Sequence, residues 1–217
     1  DNLSSGYFTF AHAMSELTDV LLYDLRGHGK SAQPSTRYRI EDHIHDLSAL
    51  IEHLQIEGKI HLIGCSFGGL IALEFALRYP AQVHSLVLID GHINPTRFLD
   101  QLTLDLRATG ETRAQLIGQH FQHWLHRDRT RKRMRLIQRA ETLIYQTSLL
   151  EDLKTSESAI GDVLKNIQLP CPMLALYGSR SDAYASALDM LTHPSVTLHL
   201  FEESAHAILW EHTEEVI

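Results

Sequence analysis

Residues 60–80, "IHLIGCSFGGLIALEFALRYP", carry two incompatible local instructions. IHLIG is an apolar, β-branched run that reads as a buried strand, whereas LIALEFALRY sets apolar residues at helical spacing. Between them stand Gly64, Cys65, Ser66, Phe67, Gly68 and Gly69, so a serine hydroxyl lies at the apex of an abrupt turn. Strand, G-x-S-x-G and helix, in that order, are the context of a nucleophile elbow, which lifts the Ser66 hydroxyl clear of the sheet edge. A Cβ at Gly64 or Gly68 is expected to collide with neighbouring backbone in so tight a turn. The helix beginning after Ser66 turns free N–H groups and the positive end of its dipole toward the same point. The Phe67 N–H is therefore placed to stabilise negative charge developing on the oxygen of an attacked carbonyl.

A serine hydroxyl is a weak nucleophile until a base takes its proton. Among the 15 histidines, His206 stands out by position. "LHLFEESAHAILWE" sets it in a short polar loop after the last strand and just before a helix, and the order serine-then-histidine suits this architecture. Most other histidines fall in helical patterns or short surface segments, where a solvated imidazole is the default. His120, His123 and His126 would spread over about a third of a helix circumference, and no cysteine or carboxylate pattern joins them, so they do not read as a metal site.

Outward from the elbow, five apolar runs read as strands: residues 19–24, 59–64, 85–90, 173–178 and 196–201. Most are nearly continuous, the pattern of parallel strands covered on both faces. Helical patterns separate them. Ile40, Ile44, Leu47, Leu50, Ile51 and Leu54 form one stripe of an amphipathic helix, with Gly58 close to the expected stop. A second helix runs from about Phe67 to Tyr79 and ends before Pro80. This alternation predicts an α/β fold with a doubly wound, mostly parallel sheet. Residues 96–166 break it: they show helical periodicity and many charges but no convincing strand, and are expected to form a helical cap. Residues 1–95 and 167–217 then make the core, and the cap roofs the carboxyl ends of the strands, where ligands of open α/β sheets bind.

Composition narrows the classes of function. At 217 residues, one domain can bury roughly 70% of its unfolded surface. A balance of 19 Lys and Arg against 27 Asp and Glu gives −8, which disfavours a nucleic-acid binder. No run of 18 apolar residues occurs, so no membrane span is expected. Cys65 and Cys171 each lie in or beside an apolar strand, unlike a disulfide framework, and a reduced, cytoplasmic compartment fits them best. The chain starts at Asp1 without an initiator Met, so the lack of a visible signal peptide carries little weight.

Four segments, DLRGHGKS (24–31), GCSFGG (64–69), LYGSRSD (176–182) and SAH (204–206), together resemble the α/β-hydrolase superfamily over nearly the whole chain. The resemblance implies an eight-stranded sheet, a Ser-acid-His triad and, in many members, a cap after the sixth strand. It assigns RGHGKS a structural task, with no catalytic role for Arg26 or His28. Members carry an earlier His-Gly segment that donates a second oxyanion N–H. This chain opens with DNLSSGYF, which resembles the stretch just past that segment, so the opening strands are expected to belong to a longer protein and the second donor to lie near Asp1 or Asn2.

The acid has two candidates. Most members place it three residues after the glycine that ends the seventh strand; counting from Gly178, that is Ser181, with Asp182 one further on. Some members take it from the end of the sixth strand, where this chain has Asp90, 24 residues after Ser66. Asp90 is favoured, Asp182 is the alternative, and either would orient His206 and stabilise its imidazolium.

Within the expected cap, HRDRTRKRMRLIQR (126–139) holds seven Lys and Arg residues, among them Arg131, Lys132 and Arg135. A solvated helix face is the plain reading. A docking surface for an anionic partner, an acyl carrier protein or a coenzyme A thioester, is the sharper one. The residues together point to a serine hydrolase of a small acyl substrate, an ester or thioester, with no metal or organic cofactor required. Non-hydrolytic acyl chemistry on the same triad, such as cyclisation or elimination, is the alternative. A ligand-binding protein with vestigial activity is the rival from outside the enzymes.

Overall fold

In the computed structural model, which describes residues 7–91, 93 and 168–217, strand and helix alternate as the patterning requires. The order is α1 (Tyr7–Ser15), α2 (Ile40–His53), β1 (Ile60–Cys65), α3 (Phe67–Arg78), β2 (Val83–Ile89), β3 (Met173–Gly178), α4 (Asp182–Leu191), β4 (Val196–Phe201), α5 (Ile208–Glu211) and α6 (Thr213–Val216). The strands form one parallel sheet in the order β1-β2-β3-β4. The expected cap at 96–166, with Arg131, Lys132, Arg135 and the three cap histidines, lies outside the described residues, as do Asp1 and Asn2.

Side-chain alternation splits the core over two sheet faces. Leu86, Leu88, Met173, Ala175 and Tyr177 join α2, α3 and α4 in one cluster, whose Leu73 and Phe75 are wholly buried. Ile89, Leu176 and Phe201 face the other way, against Ile208 and Leu209 of α5, with Tyr7 and Phe10 of α1 alongside. Each of these large apolar side chains contributes about 1.5–3 kcal/mol by leaving water.

Three expectations are corrected. Residues 19–24 do not join the sheet: an apolar run becomes a strand only when a neighbour completes its ladder, and among the described residues none does. Val20 and Leu21 are exposed accordingly. Helix α2 stops earlier than Gly58: Gln55 takes the left-handed conformation at φ 52°, while Gln55 N–H and Ile56 N–H donate back to Glu52 and Ile51 carbonyls. That is a Schellman ending, with a non-glycine residue at its left-handed position. The third correction concerns the elbow glycines. A Cβ on Gly64 would overlap the carbonyl of Gly68, but a Cβ on Gly68 would meet nothing within 4 Å among the described residues. The second close approach belongs instead to Gly69, whose Cβ would stand 3.2 Å from the Cα of Gly91. Glycines thus let the nucleophile helix settle against both its own strand and the loop after β2.

The RGHGKS loop has a structural task here. Arg26 donates from Nε and Nη2 to the two carboxylate oxygens of Asp46 on α2, at 2.6 and 2.5 Å, and from Nη1 to the Arg37 carbonyl at 2.6 Å. This fork fits a planar guanidinium to a carboxylate and ties the loop to the helix that backs α3.

Candidate active site

The site lies where β1, β2, β3 and β4 end, so four separate turns have to meet. Ser66 joins β1 to α3 with φ 53° and ψ −122°, backbone that an L-residue adopts only under strain. Its N–H is fixed to the Ile89 carbonyl at 2.9 Å, and its own carbonyl accepts from Gly69 N–H at 2.9 Å, as the first turn of α3 begins. Phe67 is the first residue of that helix, so its N–H has no intrahelical acceptor. Asp90 follows β2 and is also held at positive φ, 48°. Its N–H donates to the Leu176 carbonyl at 2.8 Å, and the buried Tyr177 hydroxyl donates to Gly91 O at 2.8 Å. Two strained residues in one site, each locked by backbone bonds, cost about 1–3 kcal/mol apiece and persist because the surroundings over-determine them.

His206 comes from the loop after β4. Arg180 N–H donates to the Ser204 carbonyl at 2.9 Å, and Glu203 N–H to Ser179 Oγ at 3.0 Å, so the turn after β3 braces that loop. A Cβ at Gly178 would collide with the carbonyls of Ser204 and Ala205, which places the close approach of the two turns at a glycine. Ser204, buried two residues before His206, donates its hydroxyl to Glu211 at 2.7 Å.

These turns bring three side chains into one line. His206 Nε2 lies 2.9 Å from Ser66 Oγ, and His206 Nδ1 lies 2.5 Å from Asp90 Oδ2. With Nδ1–H given to the carboxylate, the Nε2 lone pair is left to accept the serine hydroxyl proton. Asp90 is completely buried; its Oδ1 accepts Gly178 N–H at 3.1 Å, and Oδ2 also accepts the Ser181 hydroxyl. Asp182 sits elsewhere, exposed at the start of α4 behind its N-cap Ser181, with no hydrogen bond to His206. Sequence reasoning missed Ser181 as a member of this cluster, having counted it only as a place where an acid is usually found.

Beside the nucleophile, Cys65 packs with the hydroxyl of Tyr7 from α1; burial pushes the Cys65 thiol up to about 12 and raises the Tyr7 phenol well above its ordinary value. The thiol next to Ser66 is therefore kept protonated and unreactive. Cys65 and Cys171 are both free thiols. Behind Phe67, the ring of His43 meets the phenyl edge-on with centroids 5.1 Å apart. His43 is 1% exposed, although its helical pattern suggested a solvated side chain. A signal was there: residue 43 lies three after Ile40 and four before Leu47, on the apolar stripe. Among the described residues no helix is long and apolar enough to cross a membrane.

Known proteins share this arrangement of elements. The chain is similar to a 2-hydroxy-6-oxononadienedioate/2-hydroxy-6-oxononatrienedioate hydrolase of Burkholderia vietnamiensis, 29% identical over 212 residues, covering 90% of this chain and 72% of that one. It is also similar to a proline iminopeptidase of Lactobacillus crispatus, 37% identical over 91 residues, 39% of this chain and 31% of the relative. Several curated relatives are matched over only 26–38% of their own length. Among solved structures, Est816, described as an N-acyl homoserine lactone degrading enzyme, superposes with a TM-score of 0.82 at 19% identity, covering 99% of this chain and 86% of that one. The enol-lactonase of Burkholderia xenovorans LB400 superposes at 0.73 with 20% identity, over 99% and 84%. Residues 7–213 match the α/β-hydrolase fold family as a whole, and the chain belongs to that family.

Proposed function

We propose that this protein is a serine hydrolase that cleaves a carboxylic ester or acyl thioester through an acyl-enzyme intermediate. The observation that carries the reading is the continuous hydrogen-bond line from Ser66 Oγ through His206 to the buried Asp90. Ser66 Oγ attacks the acyl carbon while His206 Nε2 takes its proton. The carbonyl oxygen gathers the negative charge, and the Phe67 N–H, at the positive end of α3, stabilises it. Asp90 holds the imidazolium that forms. His206 then returns the proton to the departing alkoxide or thiolate, leaving the acyl group on Ser66. Water enters, gives a proton to Nε2 and adds to the acyl carbon; the acid leaves as Ser66 recovers its proton. A curated relative named a 3-oxoadipate enol-lactonase, of Acinetobacter baylyi, supports the substrate class, a lactone being a cyclic ester.

Ser66→Ala tests the reading directly. It should abolish hydrolysis of p-nitrophenyl acetate and of acetyl-coenzyme A alike, and abolish covalent labelling by a fluorophosphonate probe. The thermal midpoint should stay nearly unchanged, because Ser66 lies on a turn and little packing is lost. Full turnover in this variant would end the assignment of the nucleophile. Comparing oxygen esters with thioesters on the unaltered protein decides which leaving group the site prefers.

A further inference from the structure

The Asp90 carboxylate is wholly buried and, among the described residues, has three donors, two of which are accounted for by the fold and by His206. Gly178 N–H holds Oδ1, a single point about which the carboxylate could still swivel. His206 approaches Oδ2, but in the proposed reaction it is the member whose proton inventory changes at every step. The third donor is the Ser181 hydroxyl, on Oδ2. Ser181 is buried and is the N-cap of α4, where its Oγ also accepts the Ala183 N–H at 3.2 Å. A hydroxyl has one proton to give and two lone pairs to offer. With the helix N-terminus drawing on a lone pair, the proton is left for the carboxylate, an acceptor when ionised. The position that carries the acid in most members of the family thus carries a donor to the acid here.

We propose that Ser181 is a positioning residue of this site. Its hydroxyl, itself anchored by the α4 cap, fixes Oδ2 so that the carboxylate plane is pinned at both oxygens and His206 is met along one bond direction. The Nε2 lone pair then stays on Ser66. The inference rests on the Ser66–His206–Asp90 reading and adds a fourth side chain to it.

The test separates the donor from the cap. Glycine at an N-cap costs helix stability only slightly, whereas alanine costs more. Ser181→Gly should therefore melt above Ser181→Ala, both lowered by the lost bond to the buried carboxylate, and label with a fluorophosphonate about tenfold more slowly than the unaltered protein, the effect of losing one bond to a charged group. Its kcat for p-nitrophenyl acetate should fall by a similar factor with KM unchanged. Ser181→Ala should show the same kinetic loss with a lower melting midpoint. Ser181→Thr, which keeps the hydroxyl and the cap, should recover most of the rate. In an Asp90→Asn background, Ser181→Gly should cost little more, because it acts through Asp90. Rates that simply follow melting temperature across Gly, Ala and Thr would overturn the proposal and leave Ser181 as a helix cap. An Asp90→Asn protein that labels at the full rate would instead overturn the reading on which the proposal rests, and the proposal with it.

Discussion

Asp90 and His43 are both almost completely buried, 0% and 1% exposed, and the protein treats them in opposite ways. Asp90 receives Gly178 N–H, the Ser181 hydroxyl and His206, so both of its carboxylate oxygens are engaged. Among the described residues, neither ring nitrogen of His43 has a hydrogen-bond partner. An unpaired buried polar group costs about 1–3 kcal/mol, which the fold tolerates at His43 in return for an aromatic edge packed against Phe67. A buried polar side chain wrapped in donors is thus held for chemistry, whereas one without partners is held for its shape. The two flank the same elbow, so single substitutions can separate these roles.

The largest expected effect is on Asp90. Asn in its place keeps the shape, and Asn tolerates the positive φ found there better than most residues. It removes the counter-charge to the imidazolium, however, and offers His206 an amide that supports the wrong tautomer. The corresponding loss in serine proteases is about 10⁴-fold in kcat, so Asp90→Asn should lower kcat by at least about 10²-fold while the protein still melts cooperatively. Steady-state kinetics alongside a thermal melt check this; turnover within a few-fold of the unaltered protein would reduce Asp90 to a loop residue.

His43 should show itself in stability rather than rate. Burial, assisted by Arg26 and His28 and opposed by Asp46 and Asp42, lowers its imidazole from the ordinary 6.5 to about 4. The unfolded chain therefore binds the proton first. Stability from this residue is complete above pH 6.5 and falls as pH drops toward 4, by about 3 kcal/mol over that window. Burial lowers His28 as well, which adds loss of the same sign. Denaturant melts from pH 7 to pH 4 should show that slope, and His43→Leu should flatten it. An equal slope in both proteins would place the acid sensitivity elsewhere. At neutral pH the same variant should be about 1 kcal/mol more stable, since it discards an unpaired polar group at similar volume, with catalysis left near its starting value.

The ease of reading these parts from sequence tracks the range of the forces that make them. Ser66 and its turn are local: an apolar run, glycines and a helical pattern within twenty-one residues decide them. The four strands that pair are equally plain, because each is an apolar run with a partner. Residues 19–24 carry the same pattern, but a strand is a relation between two segments, and one segment cannot announce its neighbour. Helix α1 escaped notice because no residue of YFTFAHAMS is fully buried and its sidedness is weak. Asp90 could be favoured over Asp182, but what distinguishes them is the ring of donors from Gly178, Ser181 and His206. Those lie 88, 91 and 116 residues away, beyond any local pattern.

Asp182 supplies the smallest effect and the sharpest control. It stands next to Ser181, yet it is exposed in the first turn of α4, where the cap already belongs to Ser181. Its carboxylate lies at the positive end of that short helix, an effect of about 0.3–1 kcal/mol that salt screens. Asp182→Asn should therefore shift a low-salt melt slightly, lose even that shift at high salt, and leave kcat unaltered. One residue earlier, a change in a hydroxyl is expected to slow the reaction. If Asp182→Asn instead gave a folded protein with no turnover, the acid would belong to the turn after β3, and the donors around Asp90 would have to be explained as structure alone.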